Sequence, residues 1–177
     1  IWLKFGDYSN ILVNLCVIRK NFINYAQTLW IWNKKCYNTT NPIFKESKVK
    51  FSVKNPIPGF ENIKEVEITK IDDFFVKMQD VDSQTSFTMI NPYALRPEYE
   101  FDIPTPYKNL LEITDESQLE LYTIVALSSP IEESTVNFLA PVLCNTTSGT
   151  LAQIVLDNRY YPNFGQAEKI SNYVQKQ

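Results

Sequence analysis

The residues able to do chemistry in this 177-residue chain are few, because several types are missing. There is no histidine, which removes Ser–His and Cys–His nucleophile pairs, the commonest general base and most zinc sites. The three cysteines, Cys16, Cys36 and Cys144, form no CxxC pair. A reactive thiol needs a basic neighbour to hold it as thiolate; Cys144 has none near it in sequence and reads as a buried strand residue. After residue 47 only Gly59, Gly149 and Gly165 remain, so neither a P-loop nor a dinucleotide fingerprint can be written. No metal or cofactor is expected. What is left is carboxylates. Asp72-Asp73, Asp115-Glu116 and Glu132-Glu133 are adjacent pairs, raw material for a glycosidase-like acid pair whose separation only a fold can set. Each sits at a turn or a helix start, where acids act as caps or solvated charges.

A fourth carboxylate group differs in kind. Glu98, Glu100 and Asp102 alternate with Tyr99, Phe101 and Ile103. A period of two predicts a strand with one buried face and one face in water, leaving three acids in a row outside. Such a row has no catalytic constellation. It offers an acidic docking face, or a solvated face that discourages edge pairing.

The elements that must position this row follow from the rest of the pattern. Charge divides the chain: residues 1–46 hold six Lys or Arg against two Asp or Glu, a net of +4, and residues 47–177 hold eleven against eighteen, a net of −7. All three Trp and two of three Cys also precede residue 47. The expected organisation is therefore an extension over 1–46, spurious or disordered, and a domain over 47–177. The competing reading of the extension is an amphipathic helix from about Ile11 to Trp32. An acidic domain is a poor nucleic-acid binder and is steered towards basic partners. No apolar run reaches the roughly 20 residues a bilayer span needs, and an odd cysteine count suits a reducing cytoplasm.

Within the domain, Val49–Val53, Lys64–Ile68 and Ser86–Ile90 read as strands, and Asp72-Asp73 followed by Phe74, Phe75 and Met78 as a short helix. After the 98–103 strand, Thr105 is placed as a cap and Pro106 at the first position of a helix to residue 112. Leu119–Leu127 is apolar on both faces, as a central strand is. Thr135–Cys144, interrupted by Pro141, and Leu151–Leu156 form a hairpin around the turn Asn145–Gly149. Tyr160–Gly165 is an aromatic loop, and Lys169–Gln175 a short terminal helix. Short strands at regular spacing with few helices predict a mainly β fold, a small antiparallel barrel-like domain.

Four blocks, KNPIPGFENI (54–63), INPYALRPEYEFDIP (90–104), IEESTVNFLAPVLCN (131–145) and AQIVLDNRYYPNFGQAE (152–168), resemble the flagellar assembly factor FliW family in the same order. The resemblance spans 48–177 and none of 1–46. It implies a small β-barrel-like, non-enzymatic cytoplasmic protein that binds flagellin and, alternatively, the carbon storage regulator CsrA. CsrA is a small basic RNA-binding dimer that represses flagellin translation; FliW bound to it relieves repression, and accumulating flagellin takes FliW away. On this reading Glu98, Glu100 and Asp102 contribute to CsrA docking, the loop aromatics Phe60, Tyr161 and Phe164 anchor flagellin, and the chain touches neither nucleic acid nor membrane. The competing readings are a β-barrel ligand-binding or hydrolytic domain using surface carboxylates, and a secreted domain glycosylated at Asn145-Thr146-Thr147.

Overall fold

The computed structural model describes residues 48–173. The expectations for residues 1–46, and the last residues of the predicted terminal helix, lie outside this range. Among the described residues nine strands form: β1 (Lys48–Val53), β2 (Glu65–Lys70), β3 (Phe75–Asp80), β4 (Ser86–Ile90), β5 (Leu119–Ala126), β6 (Thr135–Val136), β7 (Val142–Asn145), β8 (Thr150–Gln153) and β9 (Glu168–Lys169). Among the same residues one α-helix, α1, spans Thr105–Leu110.

β1 to β4 are an antiparallel meander; β4 pairs with β5, β5 with β7 and β7 with β8, and the parallel β8–β1 pair closes the ring. The result is a seven-stranded barrel, β1-β2-β3-β4-β5-β7-β8. Closure removes sheet edges. Strands β6 and β9 extend from the far end of β5, where Val125 faces Val136.

Strand parity separates two cores. Phe51, Val66, Met78, Met89, Val142 and Leu151 point into the barrel and form one buried cluster. Leu121 and Val125 on β5, Leu143 on β7 and Ala152 on β8 point the other way, into a second cluster with Tyr99, Leu111, Phe138 and Ile170. The second core lies on the outer face of β5, β7 and β8, roofed by residues 90–113 and the C-terminal loop. This is why β7 and β8 are buried at every position. Leu111 and Phe138, both fully buried, contribute roughly 1.5–3 kcal/mol each.

Four local expectations are corrected. Residues 72–78 are not a helix: Asp72 Oδ1 accepts from Phe74 N and Phe75 N, both at 2.8 Å, making an Asx turn that feeds β3. Residues 98–103 are not a strand. Their alternation is real, with Tyr99 buried, Phe101 and Ile103 half-buried and Glu98, Glu100 and Asp102 exposed, but no ladder forms; the barrel is already closed and has no edge for them to join. The terminal helix is replaced by β9 and a 3-10 turn over Ile170–Asn172. The 135–144 run splits into β6 and β7 around a turn over residues 137–141, where Asn137 Oδ1 accepts from Leu139 N and Ala140 N at 3.1 Å. At α1, Thr105 is not the cap: Pro104 holds the N-cap position with no side-chain cap, Thr105 is the first helical residue and Pro106 the second, and the helix ends at Leu110 rather than at residue 112.

Candidate partner-binding surface

Residues 91–104 are fixed from beneath. Asn91 Oδ1 accepts from Tyr93 N at 3.0 Å and starts a 3-10 turn over Pro92–Ala94. Tyr99 is the pin: its hydroxyl donates to the Phe138 carbonyl at 2.6 Å, and its ring packs on Phe164 at 4.7 Å and Phe138 at 5.5 Å. Burial, first, raises the Tyr99 phenol far above its ordinary value, so it stays a donor. On the far side α1 is tied down by Asn145, whose buried Nδ2 donates to Leu111 O at 2.9 Å and Glu112 O at 3.3 Å. An amide held this way accepts no glycan, which removes the glycosylated reading at Asn145.

With Tyr99, Phe101 and Ile103 facing in, the three acids face water. Glu98 lies 3.8 Å from Arg96 Nε. Glu100 and Asp102 form no ion pair among the described residues, and no Lys or Arg occurs from 97 to 107. The row is a rigidly mounted, largely uncompensated stretch of negative charge.

The aromatics are placed differently. Tyr161 and Phe164 fold back: their rings stack 7° from parallel at 5.5 Å, and Tyr161 Oη accepts from Asp102 N at 3.0 Å. They brace the row from the side. Phe60 is 42% exposed, edge-on to Phe87 at 4.8 Å. Among the described residues the aromatic most offered to solvent is Tyr160, 77% exposed, which nothing in the sequence pattern separates from Tyr161.

Sequence reasoning also missed Arg96. Its side chain is 14% exposed, with the guanidinium carbon 5.0, 5.3 and 5.9 Å from the Phe164, Phe138 and Tyr173 ring centroids. Nη1 donates to Asn163 O at 2.9 Å and reaches Glu168 Oε1 at 3.5 Å. Nε, buried and too far from Glu98 for a hydrogen bond, has no hydrogen-bond partner among the described residues. Glu168 also accepts from Gly165 N at 2.5 Å and from the Tyr173 hydroxyl. Gly165 is required here, since a Cβ would lie 2.5 Å from Glu168 Cγ. Arg96 thus clamps the 91–104 segment to the C-terminal loop. The available signal was that it is the sole cation between residues 78 and 107.

Three of the paired carboxylates are taken up by local structure. Asp72 serves its turn, Asp73 meets Lys70 at 3.2 Å, and Glu133 meets Lys169 at 2.5 Å. Cys144 is fully buried, and burial, with the Glu120 charge second, pushes its thiol well above the usual range. Among the described residues, no three His, Cys, Asp or Glu gather as metal ligands, and no helix is long and apolar enough to cross a membrane.

The sequence profile of the family described as "FliW protein" matches residues 37–164. The chain belongs to the FliW family. It is 44% identical over 125 residues to the flagellar assembly factor FliW of Campylobacter lari, covering 70% of this chain and 95% of that one. With the FliW of Sulfurimonas denitrificans it shares 46% identity over 129 residues, 72% of this chain and 100% of the relative. A crystal structure of the flagellar assembly factor FliW superposes with a TM-score of 0.62 at 27% identity, covering 76% of this chain and 92% of the other. The mainly β, closed-barrel fold is thus the fold of the FliW family. The profile match begins ten residues ahead of the boundary expected at residue 47.

Proposed function

We propose that this FliW chain acts in the cytoplasm as a partner switch in flagellar assembly. It binds flagellin and, alternatively, the translational regulator CsrA, whose repression of flagellin synthesis it relieves. It acts by binding alone, without catalysis or cofactor. The observation that carries the CsrA half is the row Glu98, Glu100 and Asp102: exposed, largely unpaired, and mounted on a segment whose other face is locked into the second core. Added to the −7 charge of residues 47–177, this row favours encounter with a basic regulator and keeps RNA phosphates away. For flagellin, Phe60 is the exposed member of the aromatic set, while Tyr161 and Phe164 are half-buried.

The test is calorimetric titration of the whole chain with CsrA at low and high salt. Tight binding that weakens with salt is expected, because exposed charges are screened beyond about 10 Å at 0.1 M. Replacing Glu98, Glu100 and Asp102 together by Lys should abolish it while leaving the fold intact, since the Glu98–Arg96 contact is an exposed pair worth roughly 0–1 kcal/mol. Absence of binding at low salt, or unchanged binding by the triple variant, overturns the docking role of the row.

A further inference from the structure

We infer that residues 99–103 offer an unfilled strand edge, on which a basic, extended segment of a protein partner docks as an added strand. This deepens the CsrA reading above and rests on it.

Pro97 and Glu98 lie in the turn closed by Tyr99 N–H on Arg96 O, and from Tyr99 to Ile103 the alternating burial marks an extended backbone, in which the N–H and C=O groups of successive residues point to opposite edges. One edge, that of Glu100 and Asp102, is partly taken, because Asp102 N–H donates to Tyr161 Oη at 3.0 Å. The other belongs to Tyr99, Phe101 and Ile103. Tyr99 N–H is satisfied by Arg96 O at 3.0 Å. Phe101 and Ile103 have N–H and C=O groups with no hydrogen-bond partner among the described residues. Unpaired backbone groups are seldom buried, so these face water. Two residues apart, they sit roughly 7 Å from each other, the repeat of an antiparallel ladder. An exposed row of this kind is a template for another strand.

The chemistry of the occupant follows from what flanks the edge. A strand added beside Phe101 and Ile103 carries alternate side chains on the same outer face as Glu100 and Asp102. Neither acid has a cation partner among the described residues, and no Lys or Arg occurs from 97 to 107. Lys or Arg at alternate positions of the incoming segment fits this face, and acidic residues there would be repelled. The edge is also held still by Tyr99, Phe101 and Ile103 packing into the second core, so little ordering is needed on binding.

The test is amide hydrogen exchange, read by NMR on the full chain with and without saturating CsrA. In the free protein the Phe101 and Ile103 amides should exchange close to the unprotected rate, and in the complex at least tenfold more slowly. Ile103→Pro, which deletes one N–H and keeps an extended backbone, should weaken CsrA binding roughly fivefold, the worth of one hydrogen bond; Ile103→Val should not. If CsrA binds while both amides stay fast, strand addition is overturned and the partner reading stands. If CsrA does not bind at low salt, both fall. Slowing by flagellin but not by CsrA overturns the basic character assigned to the occupant.

Discussion

Arg96→Met should destabilise this protein far more than an ordinary surface substitution. The guanidinium faces three rings at 5.0–5.9 Å; cation–π contacts are worth about 0.5–1 kcal/mol when exposed and about 2 when desolvated, and three on one cation do not add. The charged donor to Asn163 O, at 2.9 Å, contributes about 1.5–3 kcal/mol. Methionine restores part of the stem packing, and Glu168 keeps Gly165 N–H and the Tyr173 hydroxyl as donors. The net expectation is a loss of about 2–4 kcal/mol. For a domain of this size each kcal/mol moves Tm by about 4 °C, so the melt should fall by about 8–16 °C, followed by circular dichroism and checked by urea unfolding. Arg96→Lys, which keeps the charge but not the planar fork, should recover less than half of this. A double-mutant cycle with Phe164→Leu should give a coupling of at least about 0.5 kcal/mol. A melt within about 2 °C of the parent for Arg96→Met refutes the clamp.

Three further outcomes are expected. Tyr99→Phe strands the buried Phe138 carbonyl, now bonded at 2.6 Å, and should cost about 1–3 kcal/mol in urea unfolding. Cys144, in a background with Cys16 and Cys36 replaced by Ser, should resist an aromatic disulfide reagent when native and react in urea, because it is fully buried and its thiol is pushed up. Tyr173 is pushed from 10.0 up to about 12, by burial first and then by its hydrogen bond to Glu168. The fold favours the neutral phenol, so this contribution is complete below pH 10 and is lost between pH 10 and 12; Tyr173→Phe should make that part of the stability–pH curve less steep, the raised phenols of Tyr99 and Tyr122 keeping the rest of its slope.

What the sequence made legible was the two-sidedness of each segment. Leu119–Ala126 is apolar at nearly every position and proved to be the strand shared by both cores. The β7–β8 hairpin was marked by its polar turn, closed at Gly149 with φ 67°. The failures share a cause. Phe74, Phe75 and Met78 fit a helical spacing, yet Val76 and Met78 equally fit a strand, and the choice lay with the Asp72 carboxylate, which bonds two amides of the following residues instead of capping a helix. At 98–103 the period of two reported burial correctly and pairing wrongly, because pairing depends on whether a distant edge is free. Arg96 was passed over since a lone cation among acids looks like a surface charge; its ring partners come from residues 138, 164 and 173, which only the fold brings together.

Three of the four blocks that resemble the FliW family converge on the second core, while the 54–63 block puts Ile57 and Ile63 into the barrel core. Tyr99 and Arg96 from the second block, Phe138 from the third and Phe164 from the fourth meet within a few ångströms of one another. The residues that mark the family here are therefore mainly those that mount the 91–104 segment on the barrel. The acids are set by the same register: with a side-chain period of two, a slip of one residue would turn Tyr99, Phe101 and Ile103 outward and bury three carboxylates. Burying unpaired carboxylates costs several kcal/mol each, more than any single packing contact can return. The aromatic pin and the Arg96 clamp thus fix the acidic face as firmly as they fix the core, and a partner that reads this face meets a surface whose shape is decided before it arrives.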